Sequence, residues 1–205
     1  MRAYTFGMKW PIALLAAVLA GQTMPVEKER ALARAIAEDA HRRLPAYAHP
    51  EAEAFLQRTG ARLAAHAPEV QFKFQLVRAD GADPVALPTG EVLVPVTTLL
   101  TSETEARFAG QLAHAMGHIA RGHLMKSVKP GELRVILAGL WMDYHTDHRK
   151  PPSALAAEFE TGEREAAEYA AALLARAGYD PGQISSSDYL RLRDQLRYKP
   201  APSLR

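Results

Sequence analysis

The sequence predicts a mainly helical α+β domain that carries a small β-sheet or hairpin. Two observations support this class. Of the 205 residues, 48% are hydrophobic but only 7% are aromatic, a composition typical of alanine- and leucine-rich helical proteins. Most apolar residues recur at helical spacing, whereas residues 70–76 alternate apolar and polar side chains as a half-buried strand does. The length suits one compact domain, which we place at residues 21–198.

Residues 1–20 form a predicted secretory signal. Arg2 and Lys9 precede an apolar run, residues 12–20, in which Val18 and Ala20 are small residues placed for cleavage. This run is about half of the roughly 20 residues needed to span a bilayer, so a retained membrane anchor is the weaker alternative. We therefore expect a periplasmic or secreted protein with no stable membrane insertion after cleavage.

Charge and cysteine content limit the kinds of partner and site. The chain has 25 basic and 23 acidic residues, and two of the basic ones lie in the expected signal. The rest is near neutral, which argues against nucleic acid or an anionic membrane as a partner held by charge. Because the chain has no cysteine, disulfides and thiolate metal ligands are excluded, and any metal must bind to histidines and carboxylates.

The first half of the domain reads as two helices followed by two extended segments. Helical spacing covers residues 26–44 and about 50–66. The alternating residues 70–76 predict a strand, and residues 86–95 predict a second extended stretch. Prolines within that stretch favour the edge of a sheet over its centre.

The second half is predicted to be helical. Ser102 and Glu105 have the spacing of a capping box, which starts a helix running to about Lys126. Residues 133–142 predict another helix and lead into a polar loop, residues 143–152. An alanine-rich helix over residues 163–177 follows, closed by Gly178. The last segment, about 188–196, is amphipathic, and residues 199–205 are expected to form a flexible tail.

His114 and His118 are the candidate metal ligands. They are four residues apart on the predicted helix, so their side chains lie about 40° apart around its axis and both imidazoles can reach one ion. Alone, this pair is weak evidence, because alanine-rich helices carry such pairs by chance. By the same helical phase His123 lies about 140° from His118, which favours a packing or capping role over a ligand.

A third ligand is expected from an acidic residue on the helix over residues 163–177. Glu163 lies on the stripe that must pack inward, together with Ala166, Ala167 and Ala170. Helical phase therefore favours Glu163 over Glu165 and Glu168, which lie beside arginines. A carboxylate on a buried stripe is costly unless a partner such as a metal ion compensates its charge. The alternative is that Glu163 only stabilises the first turn of the helix through its dipole.

The remaining histidines are expected to have no functional role. The loop that contains His145 and His148 is a second cluster of histidine and aspartate, but flanking charges and prolines favour a solvated loop. The others are expected to be surface or packing residues: His41, His49 and His66.

The motifs in combination resemble a known family. A strand, an Ala-Leu-Pro-x-Gly hairpin, a His-x-x-x-His helix and an acidic helix ending Ala-Arg-Ala-Gly-Tyr-Asp-Pro occur in this order over residues 25–181. This order resembles the zinc metallopeptidases related to the CAAX prenyl proteases, in particular their soluble periplasmic BepA-like branch. The resemblance implies a zincin-like domain in which His114, His118 and Glu163 bind Zn²⁺. It also implies that the hairpin lies beside the active-site cleft, where it could hold an extended peptide by strand addition.

Two departures from the family pattern concern catalysis. The resemblance implies a glutamate at position 115 that takes a proton from the attacking water and passes it to the leaving amine, but the residue is Ala115. It also implies a supporting aspartate at position 167, where the chain has Ala167. With no general base, we assign no catalytic residue. Two lost groups favour natural loss of catalysis over an engineered inactive variant.

Three functions remain open on the sequence. The first is an exported zinc-binding protein that is deficient in peptide hydrolysis and holds polypeptides or unfolded protein segments. The second is an active metalloendopeptidase in which a nearby carboxylate such as Glu158 or Glu160, or a group of the substrate, replaces the missing base. The third is a metal-free binding module in which the two histidines and Glu163 only hydrogen-bond to one another.

Overall fold

The computed structural model describes residues 26–79, 81, 83–126, 156–180, 182 and 185–198, without the side chains of residues 126, 156–159 and 198. These residues form helices around a three-stranded sheet, which confirms the expected α+β class with mainly helical content. Among them, no helix is long and apolar enough to cross a membrane. The expected signal, tail, 133–142 helix and His145/His148 loop lie outside the described residues.

Seven helices occur within the described ranges. Their bounds are α1 (Val26–Arg43), α2 (Pro50–Ala64), α3 (Val96–Thr101), α4 (Glu105–Ala120), α5 (His123–Lys126), α6 (Ala156–Arg176) and α7 (Ser187–Tyr198). The predictions for α1, α2 and α7 are confirmed, with bounds that shift by a few residues. The predicted α6 is also present, but it begins at Ala156, seven residues before the predicted start, so the alternative that Glu163 lies in the first turn of the helix is wrong. Gly178 has a positive φ of 70° and follows the end of α6, as the sequence predicts.

The sheet has the strand order β1-β3-β2, with β1 at Lys73–Val77, β2 at Val85–Ala86 and β3 at Glu91–Pro95. β1 and β3 are parallel, whereas β2 and β3 form an antiparallel hairpin. The prediction that the whole second extended stretch lies at an edge is wrong for β3, which is central. Pro95 is tolerated there because it is the last residue of the strand.

Helices cover both faces of the sheet. On one face, Leu76, Val92 and Val94 belong to a core shared with α2, α4, α6 and α7. On the other face, Leu93 packs with Ile36 and other residues of α1 in a second core cluster. The outer edge of β1 is covered by residues 45–47, whose Tyr47 amide donates to the Leu76 carbonyl at 2.9 Å. The other edge of the sheet is therefore formed by β2.

The predicted capping box at the start of α4 is wrong. Ser102 ends α3 instead, and its hydroxyl donates to Gln111 Oε1 at 2.6 Å. Thr104 is the N-cap, with its side chain accepting from the Arg107 amide at 3.1 Å. Glu105 accepts from Ser186 on the neighbouring segment. Thr104 has the same capping chemistry as Ser102, so the spacing alone did not distinguish the two.

Helix α4 is shorter than predicted and ends at Ala120 rather than near Lys126. Gly122 adopts a positive φ of 66°, and α5 begins at His123. A left-handed glycine is a common way to end a helix and redirect the chain. Helical phase carried from α4 therefore does not apply to His123.

Helices α4 and α6 pack closely because of Gly117. A Cβ atom at this position would lie 2.9 Å from the Ala166 carbonyl oxygen and 3.0 Å from the Ala166 Cα. Only glycine allows this approach without a shift of backbone. The contact brings the histidines of α4 within reach of the acidic residues of α6.

Candidate metal site and cleft

The structure brings His114, His118 and Glu163 together between α4 and α6. The two histidines are one helical turn apart on the same side of α4, and Glu163 approaches them from α6. Each offers one ligand atom, and the three atoms lie within 4.8 Å of one another. The residues that sequence reasoning selected as ligands thus form one cluster.

The distances within this cluster are short. His114 Nε2 lies 3.1 Å from His118 Nε2 and 3.1 Å from Glu163 Oε2. His118 Nε2 lies 3.2 Å from Glu163 Oε1. All three side chains therefore direct their polar atoms at one small volume.

The environment of Glu163 keeps its carboxylate ionised. Burial by itself raises the pKa of Glu163, but hydrogen bonds from His114 and His118, with their charges, outweigh it and hold the pKa well below its usual range. The side chain is 34% exposed and lies at the margin of the helix stripe. An anionic oxygen and two imidazoles form a donor set that suits a divalent cation.

The donor set also fits a tetrahedral ion in its spacing. A metal with bonds of about 2.0–2.1 Å holds neighbouring ligand atoms about 3.3–3.4 Å apart. The separations of 3.1 and 3.2 Å in the cluster are close to that value. They are equally typical of hydrogen bonds. The residues can hold an ion, and they can also pair with one another without one.

The cluster opens into a cleft of about 1000 Å³. Its floor is formed by the two histidines, Glu163 and Ala115. The rest of the lining mixes small or apolar residues with polar and charged ones: Ala106, Gly110, Ala171, Leu174, Ala175 and Tyr179, beside Glu103, Thr104, Arg107 and Gln111. A concave surface that combines apolar area with a few polar groups is typical of a ligand-binding site.

Strand β2 forms part of the cleft rim, together with Asp83 and Pro84. Val85 pairs with Leu93, and the Leu87 amide donates to the Glu91 carbonyl at 2.8 Å. In an antiparallel ladder such bonded pairs alternate, so the amide and carbonyl of Ala86 point away from β3. Ala86 is 4% exposed and contributes to the cleft lining on that side of β2.

Comparison with curated proteins finds several relatives. The chain is 25% identical over 201 residues to a beta-barrel assembly-enhancing protease of Yersinia pestis, covering 89% of this chain and 41% of the relative. The Escherichia coli K12 protein of the same name is 24% identical over the same shares. A Vibrio cholerae relative is 26% identical over 206 residues, covering 91% of this chain and 42% of the relative. These similarities confirm the resemblance to the BepA-like branch. No protein-family model matches the chain.

The BepA-like similarity covers nearly all of this chain, but the chain spans only about two fifths of the length of these relatives. The names of these relatives describe proteases. The structure adds a His-His-Glu group that could hold an ion, as expected of a metalloprotease relative.

Ala115 lies where the BepA-like pattern implies the general base. It is buried in the core of α4, 3% exposed, and it also lines the cleft floor between the two histidines. A methyl group there can neither accept nor donate a proton. Glu160, offered above as a substitute base, is exposed and is not among the residues that line the cleft. The side chain of Glu158 lies outside the described atoms.

Ala167 is exposed, which corrects its expected place on the buried stripe of α6. The buried stripe consists of Ala166, Ala170, Leu173 and Ala177. Position 167 lies one turn after Glu163 at the margin of that stripe, so the phase argument was too coarse to separate it from the packed residues.

His123 and Glu165 are the residues that sequence reasoning undervalued. His123 Nδ1 lies 3.2 Å from His118 Nδ1, and His123 Nε2 lies 3.0 Å from Glu165 Oε2. Glu165 was placed on the outward side with the arginines, yet it is half-buried. The signal that could have found them is Gly122, which marks the point where the chain turns back.

The other described histidines have structural contacts or are exposed. His41 pairs with Glu91 at 2.8 Å, and His49 caps α2 by accepting from the Ala52 amide. His66 is exposed. These placements agree with the expected surface or packing roles.

Proposed function

We propose that this protein binds Zn²⁺ through His114, His118 and Glu163, is impaired in peptide hydrolysis, and holds extended polypeptide segments in its cleft. The observation that carries the proposal is the convergence of three ligand side chains on a cleft floor where Ala115 replaces a general base. A bound zinc ion would supply Lewis acidity that polarises a peptide carbonyl and activates water.

The residues of the site fall into two groups, those that would bind the zinc ion and those that would hold the polypeptide. Ionised Glu163 and the two imidazoles supply one anionic and two neutral ligands, the set expected of a site with an open fourth position. We place the extended chain along β2, where the amide and carbonyl of Ala86 point away from β3, with one of its side chains against the small apolar residues of the cleft lining. No described residue at the floor replaces the proton transfer that Ala115 cannot perform.

Export remains part of the proposal and rests on residues 1–20. Its support is the basic start, the short apolar run and the small residues before position 21. N-terminal sequencing of the protein recovered from a periplasmic fraction should begin after Ala20. An intact N-terminus there would contradict cleavage.

A metal-free binding module is the second candidate, because the separations in the cluster are also hydrogen-bond distances. The two candidates differ in what a chelator does. If zinc orders the cleft floor, removing it weakens polypeptide binding and lowers the melting temperature. If the three side chains only bond one another, neither quantity changes.

The test of polypeptide holding uses fluorescence anisotropy with labelled, unfolded casein, followed by mass analysis of the casein. We expect binding without cleavage. Ala86→Pro should weaken binding, because it removes the outward amide while leaving the bonds of β2 to β3 in place. Ala86→Ser, which keeps that amide, is the matched control. Equal binding by the two variants would contradict strand addition, and rapid chelator-sensitive cleavage by the unmodified protein would contradict impaired hydrolysis.

A further inference from the structure

A series of polar contacts extends behind the candidate ligand His118. On its cleft side, His118 Nε2 faces His114 and Glu163. On the opposite side of the ring, His118 Nδ1 lies 3.2 Å from His123 Nδ1. His123 Nε2 then lies 3.0 Å from Glu165 Oε2. The contacts thus run in series from a carboxylate through two imidazoles to the cleft floor.

The local fold fixes this arrangement. Gly122 turns the chain so that His123 stacks edge-on against His118, with ring centroids 5.2 Å apart and planes at 76°. Gly162 on α6 is buried beneath it, and a Cβ atom there would lie 3.6 Å from His123 Nδ1. The side chains of His118 and His123 are only 10% and 13% exposed. Little water reaches the contact between them.

We infer that His123 and Glu165 are positioning residues that fix the proton and the ring orientation of His118, so that its Nε2 presents a lone pair to the metal. This inference rests on the proposed zinc site. An imidazole that binds metal through Nε2 carries its proton on Nδ1. That proton needs an acceptor, and His123 Nδ1 is at hydrogen-bond distance.

The donor and acceptor roles in this series of contacts follow from the carboxylate of Glu165 at its far end. A carboxylate oxygen accepts, and His123 Nε2, 3.0 Å from Glu165 Oε2, is placed to donate to it. With the His123 proton on Nε2, its Nδ1 can accept from His118 Nδ1, which lies 3.2 Å away. A proton on His123 Nδ1 would instead leave the His118 proton on Nε2, where it would block the ligand atom. Each contact therefore favours the tautomer that can bind metal.

The contacts of His118 with His123 and of His123 with Glu165 also offset a competing hydrogen bond between His118 and Glu163. Glu163 Oε1 lies 3.2 Å from His118 Nε2 and would accept a proton there. The pair Glu165 and His123 draws the proton to the other nitrogen. The expected supporting aspartate is missing at Ala167, so this pair supplies support to the metal site from a different direction.

The test compares zinc affinities of full-chain variants by competition with a chromophoric chelator. His123→Phe keeps the ring volume but removes the acceptor, and we expect zinc affinity to fall about 10–100-fold. His123→Asn should recover much of that affinity, because its amide oxygen can replace Nδ1 as acceptor. His66→Phe, at an exposed histidine outside the site, is the matched control and should bind as the unmodified protein does.

A second readout reports the tautomer directly. In long-range ¹H–¹⁵N spectra of the zinc-loaded protein, His123 should carry its proton on Nε2, and Glu165→Leu should mix its tautomers. A proton on His123 Nδ1 in the unmodified protein would overturn the inference, as would unchanged zinc affinity in His123→Phe. If His123→Phe does not fold, the zinc affinity of Glu165→Leu and the tautomer of His123 in the unmodified protein test the inference instead. Failure of the unmodified protein to bind zinc would instead overturn the proposed function.

Discussion

Restoring a carboxylate at position 115 should restore peptide hydrolysis. Ala115→Glu places the side chain on the cleft floor, about 60° around α4 from His118. The Cβ is buried but the cleft is open above it, so the longer side chain can extend into the cleft and remain solvated. We expect a modest loss of stability, because the new charge lies near that of Glu163.

The expected gain is set by what a general base contributes. Proton transfer by a positioned side chain is typically worth about 10²–10⁴-fold in rate. Ala115→Glu should therefore raise casein hydrolysis by about that factor over the unmodified protein. Adding Ala167→Asp should raise it by up to a further 10–100-fold if the exposed position can reach the site.

The assay is release of acid-soluble fragments from labelled casein at equal zinc loading. Ala115→Gln is the matched control, since it has the same shape but cannot exchange a proton, and it should stay at the level of the unmodified protein. Two results would refute the reasoning. One is no gain in a folded, zinc-loaded Ala115→Glu protein, and the other is an equal gain in Ala115→Gln.

Three further predictions concern stability. At free zinc near 100 times its dissociation constant, zinc binding should raise the free energy of unfolding by about 2.7 kcal/mol. Calorimetry should show this as a higher melting temperature that a chelator abolishes. In His114→Ala, zinc should not raise the melting temperature. Gly117→Ala should cost about 1–3 kcal/mol in urea unfolding, because the new methyl group meets the Ala166 backbone at 2.9 Å; an unchanged midpoint would contradict the close approach of α4 and α6. Burial chiefly raises the pKa of Tyr189 to about 12, above roughly 10 for an unfolded tyrosine. Its neutral form is thus favoured by folding, and its contribution to stability should be complete below pH 10 and disappear as pH rises towards 12; Tyr189→Phe should remove this part of the alkaline decline.

The sequence correctly predicted the features that depend on the spacing of residues within a single helix. His114 and His118 share a face because they are four residues apart on a helix, and that spacing needs no tertiary information. Glu163 was selected by phase on a second helix, and the structure brings it to the pair. The long helices were found because their apolar spacing is regular over many residues.

Predictions failed where the chain turns or where a partner is distant in sequence. Ser102 and Thr104 have equivalent capping chemistry, and only the short helix α3 decides between them. Gly122 ends α4 early, so His123 returns to His118 in a way that helical phase could not give. Its other partner, Glu165, is 42 residues away along the chain. Such contacts depend on how close α4 and α6 pack.

The central claim is that His114, His118 and Glu163 form a zinc site, and the most direct test is zinc stoichiometry by elemental analysis. The protein is stripped of metal, reloaded with zinc and dialysed beside Glu163→Gln, which keeps the side-chain volume but removes the charge. We predict close to one zinc ion per chain, with most of it lost in the variant. No retained zinc, or equal retention by both proteins, would contradict the account.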